Sequence, residues 1–198
     1  MSQRLGMVVS GSLDGGLEVR LDGAVSVEEM VVGRYITIEG QKRRFFGMIT
    51  DVCLGVIDPQ LTLTPPDTAD PFLAEVLAGT STYGTLHVLP LLTISGDVAS
   101  ILEGPQPVKT IPRHFSVVNL ASDADIELVF GKEDKERFWI GNPLDMETKL
   151  CLNLEELVKR SNGIFGKSGT GKTFLTRILL CGMLQKSKAV NLVFLAKD

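Results

Sequence analysis

Eight residues, Gly166-Lys167-Ser168-Gly169-Thr170-Gly171-Lys172-Thr173, constrain the fold of this chain more than any other stretch. They satisfy the spacing GxxxxGK[ST]. Glycines at these intervals permit backbone torsions that turn successive N–H groups around an anion. The apolar "NGIF" precedes the loop, and "TFLTRILLCGMLQK" follows it, with Phe174, Leu175, Ile178, Leu179, Cys181, Met183 and Leu184 at helical spacing. "AVNLVFLA" is then an apolar run that suits a buried parallel strand. Strand, loop, helix and strand predict one βαβ unit, which does not bury both of its faces by itself.

The loop also assigns chemistry. Gly166, Lys167, Ser168, Gly169, Thr170, Gly171, Lys172, Thr173 and Phe174 are the candidate nucleotide-binding residues, where loop amides and the positive helix start meet phosphate. Lys172 is the one catalytic candidate, with its ammonium between the β- and γ-phosphates. The Thr173 hydroxyl is a hard oxygen suited to Mg²⁺. The blander reading is a Gly/Ser-rich surface loop that happens to hold lysine; the strand before it and the helix after it favour the phosphate cradle. Phosphoryl transfer needs more, namely a second acid that organises the metal and water, and often an arginine from a neighbour. After Thr173 the sequence holds a single acid, Asp198, at its last position. A carboxylate there is a poor base, so this polypeptide alone is expected to hold nucleotide weakly and not to turn it over.

The first hundred residues read as β structure. "GMVVSGS", "GLEVRLD", "RYITIEG", "RRFFGMITDVCLGV" and "YGTLHVLPLLTI" are rich in β-branched and aromatic residues, punctuated by turn residues. Asp14-Gly15-Gly16 and Glu39-Gly40-Gln41-Lys42 predict hairpin turns with glycine at positive φ. Short strands at this spacing predict a small barrel or sandwich. "DPFLAEVLAG" predicts a short helix, capped by Asp70, with Pro71 in its first position and Gly79 at its end. "EGPQPVKTIPRH" carries three prolines and reads as a linker. Ser122 then opens one or two helical turns, "ERFWIGN" and "KLCLNL" read as strands, and Asn153 caps "LEELVKR". The expected organisation is a β-barrel over 1–103, a linker or crossover with a short helix over 104–136, and the start of a P-loop domain over 137–198.

Composition and charge narrow the function classes. With 44% hydrophobic and 22% charged residues the chain folds rather than staying disordered. Cys53, Cys151 and Cys181 are widely spaced, which suits a reduced compartment better than a disulfide framework. His87 and His114 have no neighbouring Cys or His, so no zinc site is expected. No apolar run approaches the ~20 residues that span a bilayer, and the N-terminal apolar run is too short for a signal peptide. A soluble, cytoplasmic protein with no membrane partner is expected. Residues 1–110 hold 7 Lys/Arg against 13 Asp/Glu, a net of −6, whereas residues 159–198 hold 8 against 1, a net of +7. That asymmetry fits two modules with different partners, the basic one facing phosphates. "QKRRFF" reads as a solvated hairpin tip leading into a core strand, ahead of a DNA contact. Trp139 reads as a core aromatic ahead of an interface anchor, and Arg113-His114 as a loop pair at a domain junction. Cys151 reads as inert packing, and Glu155 and Glu156 as complements to a helix dipole.

Taken with "VGRYITIEG", "FFGMITDVCLG", "GTLHVLPLL", "IPRHFSVVNLASDADIELVFG", "FWIGNPLD" and "LCLNLEELVKRSNGIFGKSGTGKTFLTRILL", the chain resembles the HerA-type ATPases of the HerA/FtsK superfamily. The segment 138–180 is the specific part. The resemblance implies a mixed fold: an all-β HAS barrel followed by the first βαβ unit of a RecA-like P-loop domain. It implies ATP and Mg²⁺ as cofactors, a homohexameric ring, helicase-like translocation on double-stranded DNA, and a nuclease partner. Lys172 and Thr173 correspond to the Walker A positions. The Walker B acid, polar sensor and arginine finger have no counterpart in these residues, and "NLVFLAKD" departs from the family's usual second strand. Two other readings stand beside this one: a barrel that docks partners while the loop is vestigial, and a different P-loop kinase or GTPase.

Overall fold

The computed structural model describes residues 3–67, 69–95, 104–186 and 190. The chain divides into two compact units, Met1–Ser122 and Asp123–Asp198.

The first unit is an antiparallel barrel. Its strands are β1 (Arg4–Ser12), β2 (Gly16–Leu21), β3 (Tyr35–Glu39), β4 (Arg43–Val56), β5 (Thr82–Ser95), β6 (Gln106–Pro107) and β7 (Val117–Leu120). They run in the order β2-β1-β7-β3-β4-β5, and β2 also pairs with β5, which closes a ring of six staves; β6 attaches outside that ring to β5. Closure removes the free edges that an open sheet of this composition would expose. Alternation along the staves sorts the side chains: Leu17, Val19 and Leu21 of β2 are buried, while Arg20 between them is exposed. They join Leu5, Val8, Ile36, Ile38, Phe45, Ile49, Leu86, Val88 and Val118 in one core.

Both hairpin turns fall where the sequence places them, but for different physical reasons. Gly16 has φ +80°, the left-handed region that a type of turn with glycine requires. Gly40 does not have a positive φ. Its constraint is space, because a Cβ there would stand 2.5 Å from the Arg43 carbonyl oxygen and 2.9 Å from the Phe45 ring. Strands β4 and β5 pair along almost their whole length. Two helices join them, α1 (Gln60–Leu63) and α2 (Pro71–Thr80). The second is the predicted helix: the Asp70 carboxylate accepts from the Phe72 N–H at 2.9 Å and Pro71 opens it, although it runs one residue past Gly79.

Strand β7 lies inside the stretch 104–136 expected as a linker or crossover, just after its three prolines. It pairs with both β1 and β3. Without it those two staves would have unpaired edges and the ring would not close. "VVNL" is too short to declare itself as a strand; its two neighbours, distant in sequence, make it one.

The second unit contains α3 (Asp123–Phe130), the hairpin β8 (Arg137–Gly141) and β9 (Leu150–Asn153), then α4 (Leu154–Val158) and α5 (Lys172–Lys186). Helix α3 ends on Gly131 at φ +74°, whose N–H donates to the Glu127 carbonyl. Asn153 caps α4 as expected, accepting from the Glu156 N–H at 3.1 Å. Residues 162–165, read as the first strand of a βαβ unit, form no strand; no described strand lies beside them to complete a ladder. The second strand of that unit, 189–196, falls outside the described residues apart from Val190, which is not in a strand. The described part of the unit is thus an antiparallel hairpin with three helices.

Helix α5 crosses this hairpin at Gly182, its one buried residue among those described. A Cβ at 182 would lie 2.6 Å from Cδ1 of Phe138 and 2.8 Å from Cδ1 of Leu154. Alanine gains about 1 kcal/mol of helix propensity, but overpacking at such a contact costs about 1–3 kcal/mol. The Gly182→Ala variant is therefore expected to lower the melting temperature of the second unit by a few degrees. Calorimetry showing a raised midpoint would refute the close approach.

A second anchor of α5 is polar. The Lys186 ammonium donates to the Asp134 carbonyl at 2.8 Å, in the turn before β8. The Asp134 carboxylate accepts from the N–H groups of Arg137 (2.7 Å) and Glu136 (2.8 Å) and from the Arg137 guanidinium (2.8 Å). These bonds, chiefly the two backbone donors, hold its pKa below the ordinary carboxylate value. A folded pKa below the unfolded one stabilises at pH above the unfolded value, and the effect fades as pH falls through the folded value. Asp134→Asn is accordingly expected to lower the unfolding temperature at neutral pH. The gap to the parent protein should close as acid protonates the carboxylate, and a gap that stays constant from neutral to strongly acid pH would show that the charge is not involved.

Candidate phosphate-binding site

The loop from Gly166 to Thr173 leads directly into α5. Gly169 and Gly171 have φ +80° and +84°, conformations that residues with a Cβ rarely adopt. Space around both is open, with no heavy atom within 4 Å of where a Cβ would stand. Thr170 ties the loop into a closed turn: its N–H and its hydroxyl both donate to the Lys167 carbonyl, at 3.4 and 2.8 Å. Gly166 leaves room for that clamp, since a Cβ there would come within 2.8 Å of the Thr170 hydroxyl.

The first helical hydrogen bond of α5 runs from the Leu175 N–H to the Gly171 carbonyl at 2.9 Å. The amides of Lys172, Thr173 and Phe174 therefore precede the ladder of the helix and have no intrahelical acceptor. The Lys172 ammonium folds back to the Lys167 carbonyl at 2.5 Å, which places it over the loop. The Thr173 hydroxyl is at the exposed helix start, whereas the Thr176 hydroxyl is occupied, donating to the Lys172 carbonyl. No acidic residue lies in the first turn of α5, and none occurs between residues 157 and 197. Positive helix end, lysine and free amides thus face no competing carboxylate of the same segment. Such a concavity of donors suits a multiply charged oxyanion.

The other candidate residues lie on other elements. Trp139 is 44% exposed rather than a core aromatic. Its indole N–H donates to the Gly141 carbonyl (2.8 Å) and to Asn142 Oδ1 (3.0 Å), and the Lys149 ammonium sits 5.1 Å from the ring centre. That cation is held by Glu133 at 2.8 Å, which raises the pKa of Lys149 and lowers that of Glu133. Cys151 is buried, and burial pushes its thiol pKa up, as inert packing requires. Glu155 and Glu156 occupy the first turn of α4, with Glu156 bonded to Lys159 at 2.5 Å. Phe45 and Phe46 are buried behind an exposed hairpin tip, as read from "QKRRFF". Arg113 and His114 are both exposed. Among the described residues no group of three His, Cys, Asp or Glu side chains gathers as a metal site.

Two features escape a sequence reading. Phe115 adopts φ +62° although it is not glycine, and its ring is 67% exposed. Helix α1 gives no periodic signal in four residues.

Comparison with known families matches both units. The model of the HAS barrel domain covers residues 5–99, and the model described as "Helicase HerA, central domain" covers residues 138–194. The second match contains the whole glycine loop and α5. The two matches together support a HerA-type ATPase. No curated protein matches the chain. The matched residues stop before β7, the stave that completes the ring. Among the described residues no helix is long and apolar enough to cross a membrane.

Proposed function

We propose that this chain binds ATP through residues 166–174 and works as part of a cytoplasmic, ring-forming translocase on double-stranded DNA. The observation that carries the nucleotide reading is the pairing of left-handed Gly169 and Gly171 with a helix start whose amides lack partners. The two family matches, to the HAS barrel and to the HerA central domain, support the wider role. The hexameric state, the DNA substrate and a nuclease partner belong to this proposal.

Each residue has a task in it. The amides of Lys172, Thr173 and Phe174 donate to phosphate oxygens, and the helix end adds its positive potential. Lys172 exchanges the Lys167 carbonyl for the β- and γ-phosphates, where its charge offsets the negative charge that builds up during transfer. Thr173 holds Mg²⁺, which supplies charge neutralisation between phosphates when bound. Hydrolysis in P-loop enzymes also needs a second acid and an arginine; the first turn of α5 holds no acid, and the chain alone is expected to bind without multiple turnover.

Calorimetric titration of the 198-residue protein with ATP and Mg²⁺ tests the reading. Saturable binding that weakens when Mg²⁺ is withdrawn is the expected result. An absence of binding at millimolar ATP would overturn it, as would steady hydrolysis by this chain for the statement on turnover.

A further inference from the structure

Two basic stretches far apart in sequence meet on the barrel. The β3–β4 hairpin tip brings Gln41, Lys42 and Arg43, and the segment before β7 brings Thr110 and Arg113. Together they line a groove of about 350 Å³ whose floor includes the buried Phe45. Lys42, Arg43 and Arg113 are exposed, and none has an ion-pair partner among the described residues. The neighbouring Arg44 is different, held by Glu39 at 2.8 Å. Among the described residues no carboxylate lines the groove. This absence is notable in a unit whose first 110 residues carry a net charge of −6.

We infer that this groove is a contact site for the phosphate backbone of a nucleic-acid duplex. Two guanidinium forks and an ammonium match phosphate oxygens, and the Gln41 amide and Thr110 hydroxyl add uncharged donors of the kind that fix register on a backbone. An acidic protein segment fits less well. Protein interfaces gather their affinity around an apolar, desolvated centre rich in aromatic residues; here the exposed apolar contribution is the single side chain of Ile111, 44% exposed, while the aromatic ring, Phe45, is only 4% exposed and belongs to the barrel core. Backbone binding needs no such anchor, because release of counterions drives it. The exposed Phe115, two residues after Arg113, is held in its left-handed conformation by a bond from its N–H to the Val8 carbonyl at 2.7 Å. That bond fixes the chain direction just beyond the groove. The inference deepens the DNA-directed reading above and rests on it for the choice of duplex.

The test is fluorescence anisotropy of a mixed-sequence DNA duplex with the full chain, without nucleotide, at two salt concentrations. Three phosphate contacts give a log–log salt slope of about −2.7, so binding should fall about 40-fold between about 50 and 200 mM salt. The Lys42→Ala/Arg43→Ala/Arg113→Ala variant should bind at least about tenfold more weakly at the lower salt, with a slope near zero. Lys132→Ala, which breaks an exposed pair with Glu127 in the second unit, should bind as the parent does. Acetylation of Lys42, followed by mass spectrometry on the parent protein, reads the contact without any variant: the duplex should protect it. Unchanged affinity of the triple variant, an unprotected Lys42, or equal competition by polyglutamate of the same charge would each overturn the inference. ATP titration of the same preparation is scored separately, so loss of DNA contact and loss of nucleotide binding are distinguishable.

Discussion

Replacing Lys172 with alanine should weaken ATP binding about 10- to 100-fold while leaving the fold intact. A hydrogen bond to a charged group contributes about 1.5–3 kcal/mol, and each 1.4 kcal/mol is about tenfold in affinity. In the ligand-free chain the ammonium rests on the neutral Lys167 carbonyl at 2.5 Å. Moving to a multiply charged phosphate improves on that partner, so the loss falls on the bound state. Alanine is the better helix former at the start of α5, so thermal unfolding should not move downward. Lys172→Arg separates charge from shape: its planar fork replaces a compact point charge, and it should recover only part of the affinity. Thr173→Ala should remove most of the Mg²⁺ dependence. If Lys172→Ala binds ATP within twofold of the parent, the loop does not hold phosphate in the way proposed.

Leu86→Ala should produce the largest loss of stability, about 2–5 kcal/mol. Leu86 is fully buried and sits where the ring closes, opposite Val19 of β2 on one side and Val52 of β4 on the other. A cavity there strips contacts from the barrel core at its closing seam. Domains of this size have total stabilities of about 5–15 kcal/mol, so the variant forfeits a large fraction. The corresponding fall in unfolding temperature is about 10–20 °C. Leu91→Ala on the same strand, at a position 37% exposed, provides the comparison and should stay within about 0.5 kcal/mol of the parent. Equal midpoints for the two variants in circular dichroism melts would mean that Leu86 is not part of a closed core.

How the two units became legible differs with the range of the interactions that make them. The loop at 166–173, the start of α5 after it, the Asp70 cap and the Asn153 cap are local: a few adjacent residues carry both the torsional permission and the donors or acceptors. The same holds for the hairpin turns, although at Gly40 the reason is the nearness of Arg43 and Phe45, which only coordinates reveal. Periodicity along α5 placed a helix correctly but did not say which face it buries. That face is Gly182, the residue that contributes nothing to a hydrophobic count, because close approach to Phe138 and Leu154 rewards the absence of a side chain.

The sequence by itself determined the β character of the first hundred residues, the glycine loop at 166–173 and the helix that follows it. Each follows from patterns within about 10–20 residues, where local propensity and spacing suffice. Only the tertiary structure decided that β7, just after a proline-marked stretch, closes the barrel, and that Trp139 stands half exposed under Lys149. It alone brought Arg113 beside Lys42 and Arg43. The physical reason is common to all three. These placements join residues from ten positions apart, as in Trp139 and Lys149, to about a hundred, as in β1 and β7, and their proximity is set by strand pairing and closure of the barrel, which no local pattern encodes.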